Sequence, residues 1–147
     1  MKEIIELIAL KHIRDGIDIN PPATRSEISD FESKMGFRLQ EEFKEFYLLC
    51  NGFACNEDVF NINPLYEICR LPQNYGDNWF YFADYMISSD MWGLRLTSLG
   101  QYEIFNGSYP EKVMTSSLKV FLRRFLEGNV FDKGGLYEWH EELGMNN

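Results

Sequence analysis

The sequence predicts an α+β fold: an antiparallel sheet of about four to six strands, covered by N-terminal helices and a C-terminal helix. Three observations carry that expectation. The first fifty residues hold apolar stretches at helical spacing, with readable start and stop signals. After Asn51-Gly52 the pattern changes to short aromatic and β-branched segments separated by turn residues, too closely spaced for the helical crossovers that parallel neighbours require. Leu118, Phe121, Leu122, Phe125 and Leu126 then restore an i, i+3, i+4, i+7, i+8 stripe.

Taken in order, Ile4, Ile5, Leu7, Ile8 and Ile13 give a helix over residues 2–14 a broad apolar face, and Asp15-Gly16 ends it. Pro21 and Pro22 bias the chain before them to extended conformations. Thr24 can then cap a helix by accepting from the N–H of Glu27, whose side chain can reach back, a capping box. Ala23 and Ile28 occupy the staple positions, Ile28, Phe31 and Met35 line one face, and Gly36 supplies a left-handed stop, so this helix spans residues 25–35. Glu41 and Glu42 favour the positive N-terminal end of a following helix, in which Phe43, Phe46, Tyr47 and Cys50 recur at helical spacing before Asn51-Gly52 ends it. Strands are expected over residues 59–62, 79–85, 91–97 and 102–105, with turns at Asn74, Gly76-Asp77-Asn78, Ser88-Ser89-Asp90 and Leu99-Gly100. Residues 65–71, bracketed by Pro64 and Pro72, read as either a helical turn or an extra strand. Thr115 or Ser116 can cap the closing helix and Gly128 can end it. Residues 134–144 form one more short helix carrying Tyr137, Trp139 and Leu143.

No repeat, low-complexity tract or linker divides the 147 residues, which read as one domain. With 45% apolar and 16% aromatic residues there is ample material for one core, which at this length buries roughly two-thirds of the unfolded chain's surface. No apolar run approaches the ~20 residues that cross a bilayer. The opening Met1-Lys2-Glu3 sets a carboxylate where a secretory signal wants basic then apolar residues, so a cytoplasmic protein without a membrane partner is expected. A net charge of −9 excludes non-specific nucleic-acid binding, for which clustered Lys and Arg are needed. The one basic cluster, Arg123-Arg124, sits where cations complement a helix C-terminus.

Chemistry is sparsely signalled. Cys50, Cys55 and Cys69 are an odd number and read as reduced thiols, with only His12 and His140 to complete a metal set, so no metal or other cofactor is expected. Cys50 with either histidine lacks a nucleophile elbow, an oxyanion-hole glycine or an orienting acid. Asp77, Asp84 and Asp90 lie in or beside the turns of an aromatic hairpin, where turn formation explains aspartate more often than acid–base work does. Among residues 91–96, alternation puts Trp92, Leu94 and Leu96 on the core face and Met91, Gly93 and Arg95 on the other.

The stretch Pro21-Pro22-Ala23-Thr24, a helix, Gly36-Phe37-Arg38-Leu39, the acidic aromatic helix with Phe43, Phe46 and Tyr47, and Asn51-Gly52 resembles the SUKH superfamily, the family of the fungal glucan-synthesis and cell-wall regulator. The pattern is dense over these thirty or so positions. It departs at Gln40, where such sequences commonly carry proline, and thins after Phe53 to strand order and a closing helix. The resemblance implies a non-catalytic protein-binding module. Bacterial members are largely immunity proteins that neutralise polymorphic or contact-dependent toxins by binding, whereas fungal relatives regulate cell-wall and glucan synthesis. For a chain of this length without disordered regulatory arms, immunity is the better reading. The partner implied is a toxin domain with a basic surface, steered by the acidic charge. Asp77, Asp84, Tyr85 and Asp90, as exposed acidic and aromatic residues of the sheet half, are its candidate contacts.

Overall fold

The structure, a computed structural model, describes residues 1–71, 77–97 and 101–145. The expected turns at Asn74, Gly76 and Leu99-Gly100, and Pro72, lie outside the described residues. The elements run α1 (Lys2–Ala9), α2 (His12–Asp15), β1 (Ile17–Ile19), α3 (Arg25–Met35), α4 (Glu41–Leu49), β2 (Phe53–Cys55), β3 (Phe60–Ile62), α5 (Leu65–Ile68), β4 (Trp79–Tyr85), β5 (Asp90–Leu96), β6 (Tyr102–Asn106), α6 (Leu118–Gly128) and α7 (Leu136–Glu142). The six strands form one antiparallel sheet whose spatial order follows the chain, as expected for an α+β fold; β1 and β2 are joined by the segment that holds α3 and α4.

The capping box forms as predicted. Glu27 N–H donates to Thr24 Oγ1 at 3.0 Å and Thr24 N–H to Glu27 Oε1 at 3.1 Å, while Gly36 closes α3 in the left-handed conformation. The first helix differs. It breaks after Ala9, where Lys11 N–H bonds Ile8 O three residues back. The Lys11 ammonium turns inward to Leu126 O, Asn129 Oδ1 and Asp15. That tightened turn rotates Ile13 off the apolar stripe and leaves it 96% exposed. α4 stops at Leu49, before the Asn51-Gly52 pair, and Asn51 Oδ1 instead accepts from Leu65 N–H at 3.0 Å. Residues 65–68 are helical, which decides between the two readings of that segment.

Two strands were not anticipated. β1 and β2 have three residues each, β1 directly after the helical turn at Asp15-Gly16 and β2 directly after Asn51-Gly52. The α6 cap is Ser117 rather than Thr115 or Ser116, because Thr115 is engaged in a bridge with Ile104. Gly128 is the last helical residue and Asn129, at φ 48°, makes the turn. Glycine is needed at 128 for another reason: a Cβ there would lie 2.3 Å from Gly135 N.

Helices cover one face of the sheet. Phe43 of α4 meets Phe82 edge-on at 5.1 Å, Phe82 meets Phe121 of α6 at 5.1 Å, and Phe60 stacks on Phe125 at 4.9 Å. Burying each such ring stabilises the fold by about 1.5–3 kcal/mol. A register shift between Tyr81 and Ala83 marks a bulge in β4. On the opposite face, Trp79, Tyr81 and Phe105 form a second buried cluster with Met91 and Leu71 beside it. Arg95 lies over the Phe105 ring at 4.7 Å and pairs with Glu103 at 2.9 Å. Gly93 keeps its strand bare, since a Cβ there would meet Phe105 at 2.8 Å. Among the described residues no helix is long and apolar enough to cross a membrane.

Candidate protein interface

Between β4 and β5 the backbone breaks the local rules that it obeys elsewhere. Tyr85 and Asp90 are the last paired positions of the hairpin. Met86, Ile87 and Ser88 in the turn all hold positive φ, at 49°, 52° and 66°. None is glycine. In the neighbouring turn between β2 and β3, Val59 does the same at 52°, and Met86 N–H donates to Val59 O at 2.9 Å. Left-handed backbone costs an L-residue about 1–2 kcal/mol, and for a β-branched side chain such as Val59 or Ile87 it is a steric outlier. Local hydrogen bonds hold it: Ser89 N–H bonds Tyr85 O at 3.0 Å, and Ser89 Oγ donates to Met86 O at 2.7 Å.

This backbone presents apolar side chains to solvent. Ile87 is 89% exposed, and Met86, Val59 and Phe131 are exposed as well. Tyr85, half-buried, anchors the group, its ring meeting Phe131 edge-on at 5.2 Å while Phe131 stacks on Tyr137 at 5.4 Å. Glu57 and Asp132 are exposed nearby in the chain, beside Lys133, and half-buried Asp58 accepts from Val130 N–H at 3.3 Å. Exposed aliphatic and aromatic side chains with charged residues next to them in the chain make a surface of the kind a protein partner covers.

Of the four residues singled out from the sequence, the fold brings Asp84, Tyr85 and Asp90 to this end. Asp77 is exposed but lies two residues ahead of β4, roughly 25 Å away at ~3.3 Å per residue. The three do not share one face. Asp84 pairs with Met91 on the face away from the core helices, is only 7% exposed, and accepts from Asn61 Nδ2 at 3.2 Å. Asp90 ties the core side together: Oδ1 accepts from Asn106 Nδ2 at 2.9 Å and Met91 N–H at 3.0 Å, and Oδ2 from the Tyr137 hydroxyl at 2.5 Å. Burial, reinforced by that carboxylate, pushes the Tyr137 hydroxyl well above its ordinary pKa. Next to it, buried His140 accepts from Trp92 Nε1–H at 3.0 Å on Nε2, and burial lowers its pKa although Asp90 opposes the shift. A neutral ring that accepts at Nε2 carries its proton on Nδ1.

Met86, Ile87, Val59 and Phe131 were missed from sequence. The readable signal was an apolar Met86-Ile87 pair entering a turn without glycine. The thiol and histidine candidates are each occupied otherwise. Cys50 is buried and burial pushes its thiol up to about 12, the reverse of what a nucleophilic thiolate needs. His12 Nδ1 lies 2.6 Å from Ile17 O, and His140 is engaged with Trp92. Among the described residues no three His, Cys, Asp or Glu side chains converge as a metal site requires.

Compared with known families, residues 22–124 match the SMI1 / KNR4 family (SUKH-1). The matched span holds the hairpin turn and stops within α6, so Phe131, Tyr137 and His140 fall beyond it. No curated protein matches the chain.

Proposed function

The chain belongs to the SMI1 / KNR4 family (SUKH-1), and we propose that it acts as an immunity protein, a binder that neutralises a cognate toxin domain by covering it. The family is generally non-catalytic, which supports a role exercised through contact. The observation that carries the reading is the hairpin end, where Ile87, Met86, Val59 and Phe131 stand out from strained or adjoining turns in a chain of net charge −9.

Such a surface divides the work of binding. The acidic charge steers a basic partner over distances that salt limits to about 8 Å at physiological ionic strength, so it acts on the association rate. Desolvated apolar anchors at the centre then govern how long the complex lasts. A toxin with a basic active-site surface would be blocked by occupation of that surface. Asp77, distant from the hairpin end, would contribute through steering alone.

The test is co-expression of the chain with the toxin domain encoded beside its gene, read as growth, with binding of the purified pair measured over a range of salt. Growth is restored, and association slows as salt rises. If the chain neither rescues growth nor binds that domain at any salt concentration, the immunity reading fails. Recovery of cell-wall biosynthetic enzymes in its place would put the regulatory role ahead.

A further inference from the structure

Behind the hairpin, on the face of the sheet turned away from the core helices, runs a groove of about 400 Å³. Its floor is polar. Asn61 and Asp84 are paired positions of β3 and β4, and Asn63 continues the β3 alternation to the same side, its N–H bonded to Phe82 O at 2.8 Å. Tyr66 and Ile87 stand as exposed walls and Glu67 lines it as well.

Two features of this floor are left without a partner within the chain. Asp84 is 7% exposed, its hydrogen bond comes from Asn61 Nδ2 to Oδ1, and among the described residues it has no ion pair. Its charge is thus open to a cation that a ligand brings. Asn63, also 7% exposed, carries an Nδ2 that has no hydrogen-bond partner. Glu67 is already paired with Arg70 at 3.2 Å, so the free negative charge belongs to Asp84. A deeply set acceptor that lacks a cation, on the floor of an open groove, calls for a ligand that brings one.

We propose that this groove receives an arginine side chain from an extended segment of the bound protein. The inference rests on the binding role proposed above and names the chemistry of its anchor. The guanidinium lies flat against the Tyr66 ring and donates to Asp84. Arginine suits the groove better than lysine, because a planar fork both stacks on an aromatic wall and bonds a carboxylate in its own plane. Ile87 links the groove to the apolar surface, since it lines one and projects from the other.

The full chain, labelled with ¹⁵N, is titrated at low salt with N-acetyl-arginine amide, N-acetyl-lysine amide and N-acetyl-citrulline amide. The arginine probe shifts the side-chain amide signals of Asn61 and Asn63 and saturates in the millimolar range; the lysine probe binds roughly tenfold more weakly and citrulline leaves the signals in place. Asp84→Asn abolishes the arginine titration, yet leaves the denaturant midpoint of the free chain unchanged or raised, because it removes an unpaired buried charge. Tyr66→Ala, on an exposed wall, weakens the titration without changing stability. Citrulline binding as well as arginine, arginine shifts confined to other regions, or an Asp84→Asn variant that loses stability and binding together would each overturn the proposal. If the arginine probe fails while the chain still protects against the toxin, the groove assignment falls and the immunity reading stands. Arginine binding in a chain that gives no protection is the reverse case.

Discussion

At the end of the sheet where β6 begins, Glu42 of α4 accepts from the Tyr102 hydroxyl at 3.1 Å, Ser117 Oγ at 2.9 Å and Lys119 N–H at 3.1 Å, and Tyr102 in turn accepts from Leu118 N–H at 2.8 Å. At the other end, beyond Tyr85, three successive non-glycine residues sit in left-handed backbone, an isoleucine faces water, and Asp84 is buried without a cation. The first end satisfies the orphan N–H groups of α6 with a carboxylate placed at the positive end of the helix, so capping, electrostatics and packing agree. The second violates propensity, burial and charge pairing within a few residues. Consistency across levels is what makes a sequence fold, and a concentration of violations marks where something else was selected. The Glu42 end holds a stabilising network, and the hairpin end carries the surface proposed above for recognition.

Glu42→Ala tests the stability half and carries the largest expected effect. Removing the carboxylate strands the Tyr102 and Ser117 hydroxyls and the Lys119 N–H at once, and hydrogen bonds to a charged acceptor contribute about 1.5–3 kcal/mol each before compensation by water. A loss of about 2–3 kcal/mol is expected, read as a lower denaturant midpoint at unchanged slope, with partner affinity retained once the chain is folded. Next comes pH. Burial alone would raise the pKa of Glu42, but the donors from Lys119, Ser117 and Tyr102 outweigh it and hold the carboxyl below its ordinary value. Its contribution is therefore complete above the unfolded value near 4.5 and is lost as pH falls through the lower folded one. His140 is lowered from 6.5 by burial, so the fold favours its neutral form, and its contribution is complete above 6.5 and declines as pH falls below that. Denaturant midpoints measured from neutral to acid pH should fall in two stages, the first removed by His140→Gln and the second by Glu42→Gln. A single stage unaffected by either substitution would contradict both assignments.

How much of this was legible in the sequence differs between the two ends for a physical reason. α3 could be read to the residue because the signals are local: Thr24, Glu27 and Gly36 set its start and stop within one stretch of chain. The face assignment of Trp92, Leu94, Met91, Gly93 and Arg95 followed from the period of two, and the register bears it out. β1 and β2 were missed because each is short and exists through pairing across a long stretch of chain, to each other and to β3, which no local pattern reveals. The break after Ala9 depends on Lys11 reaching residues 126 and 129, a contact that no local pattern reveals. The hairpin end was half legible. Asp84, Tyr85 and Asp90 were singled out as acidic and aromatic groups beside a turn, but what distinguishes the surface is Met86 and Ile87 in backbone that their own side chains disfavour, and propensity points away from that arrangement.

A smaller effect is expected at Thr24, which lies far in role from both ends. Thr24→Ala removes one side of the capping box, and the fold should lose about 0.5–2 kcal/mol, with partner binding unchanged. Midpoints within error of wild type would show that solvent replaces the cap at no cost.

The smallest change in stability is expected where the largest change in binding lies, at Ile87. With φ at 52° and 89% exposure, this side chain gains little from packing and strains its own backbone. Ile87→Gly relieves a conformational cost of about 1–2 kcal/mol and gives back roughly 1 kcal/mol through the greater freedom of glycine in the unfolded chain. The free protein should therefore be unchanged or more stable by up to about 1 kcal/mol. The same substitution removes an apolar anchor from the proposed interface, so dissociation from the partner should speed by at least roughly tenfold while association, set by charge, barely changes. Ile87→Ala separates the two contributions, since it keeps a Cβ in the strained turn but loses the anchor. If Ile87→Gly destabilises the fold as a buried residue would and leaves dissociation untouched, the hairpin end is structural after all, and the division between the two ends of the sheet disappears.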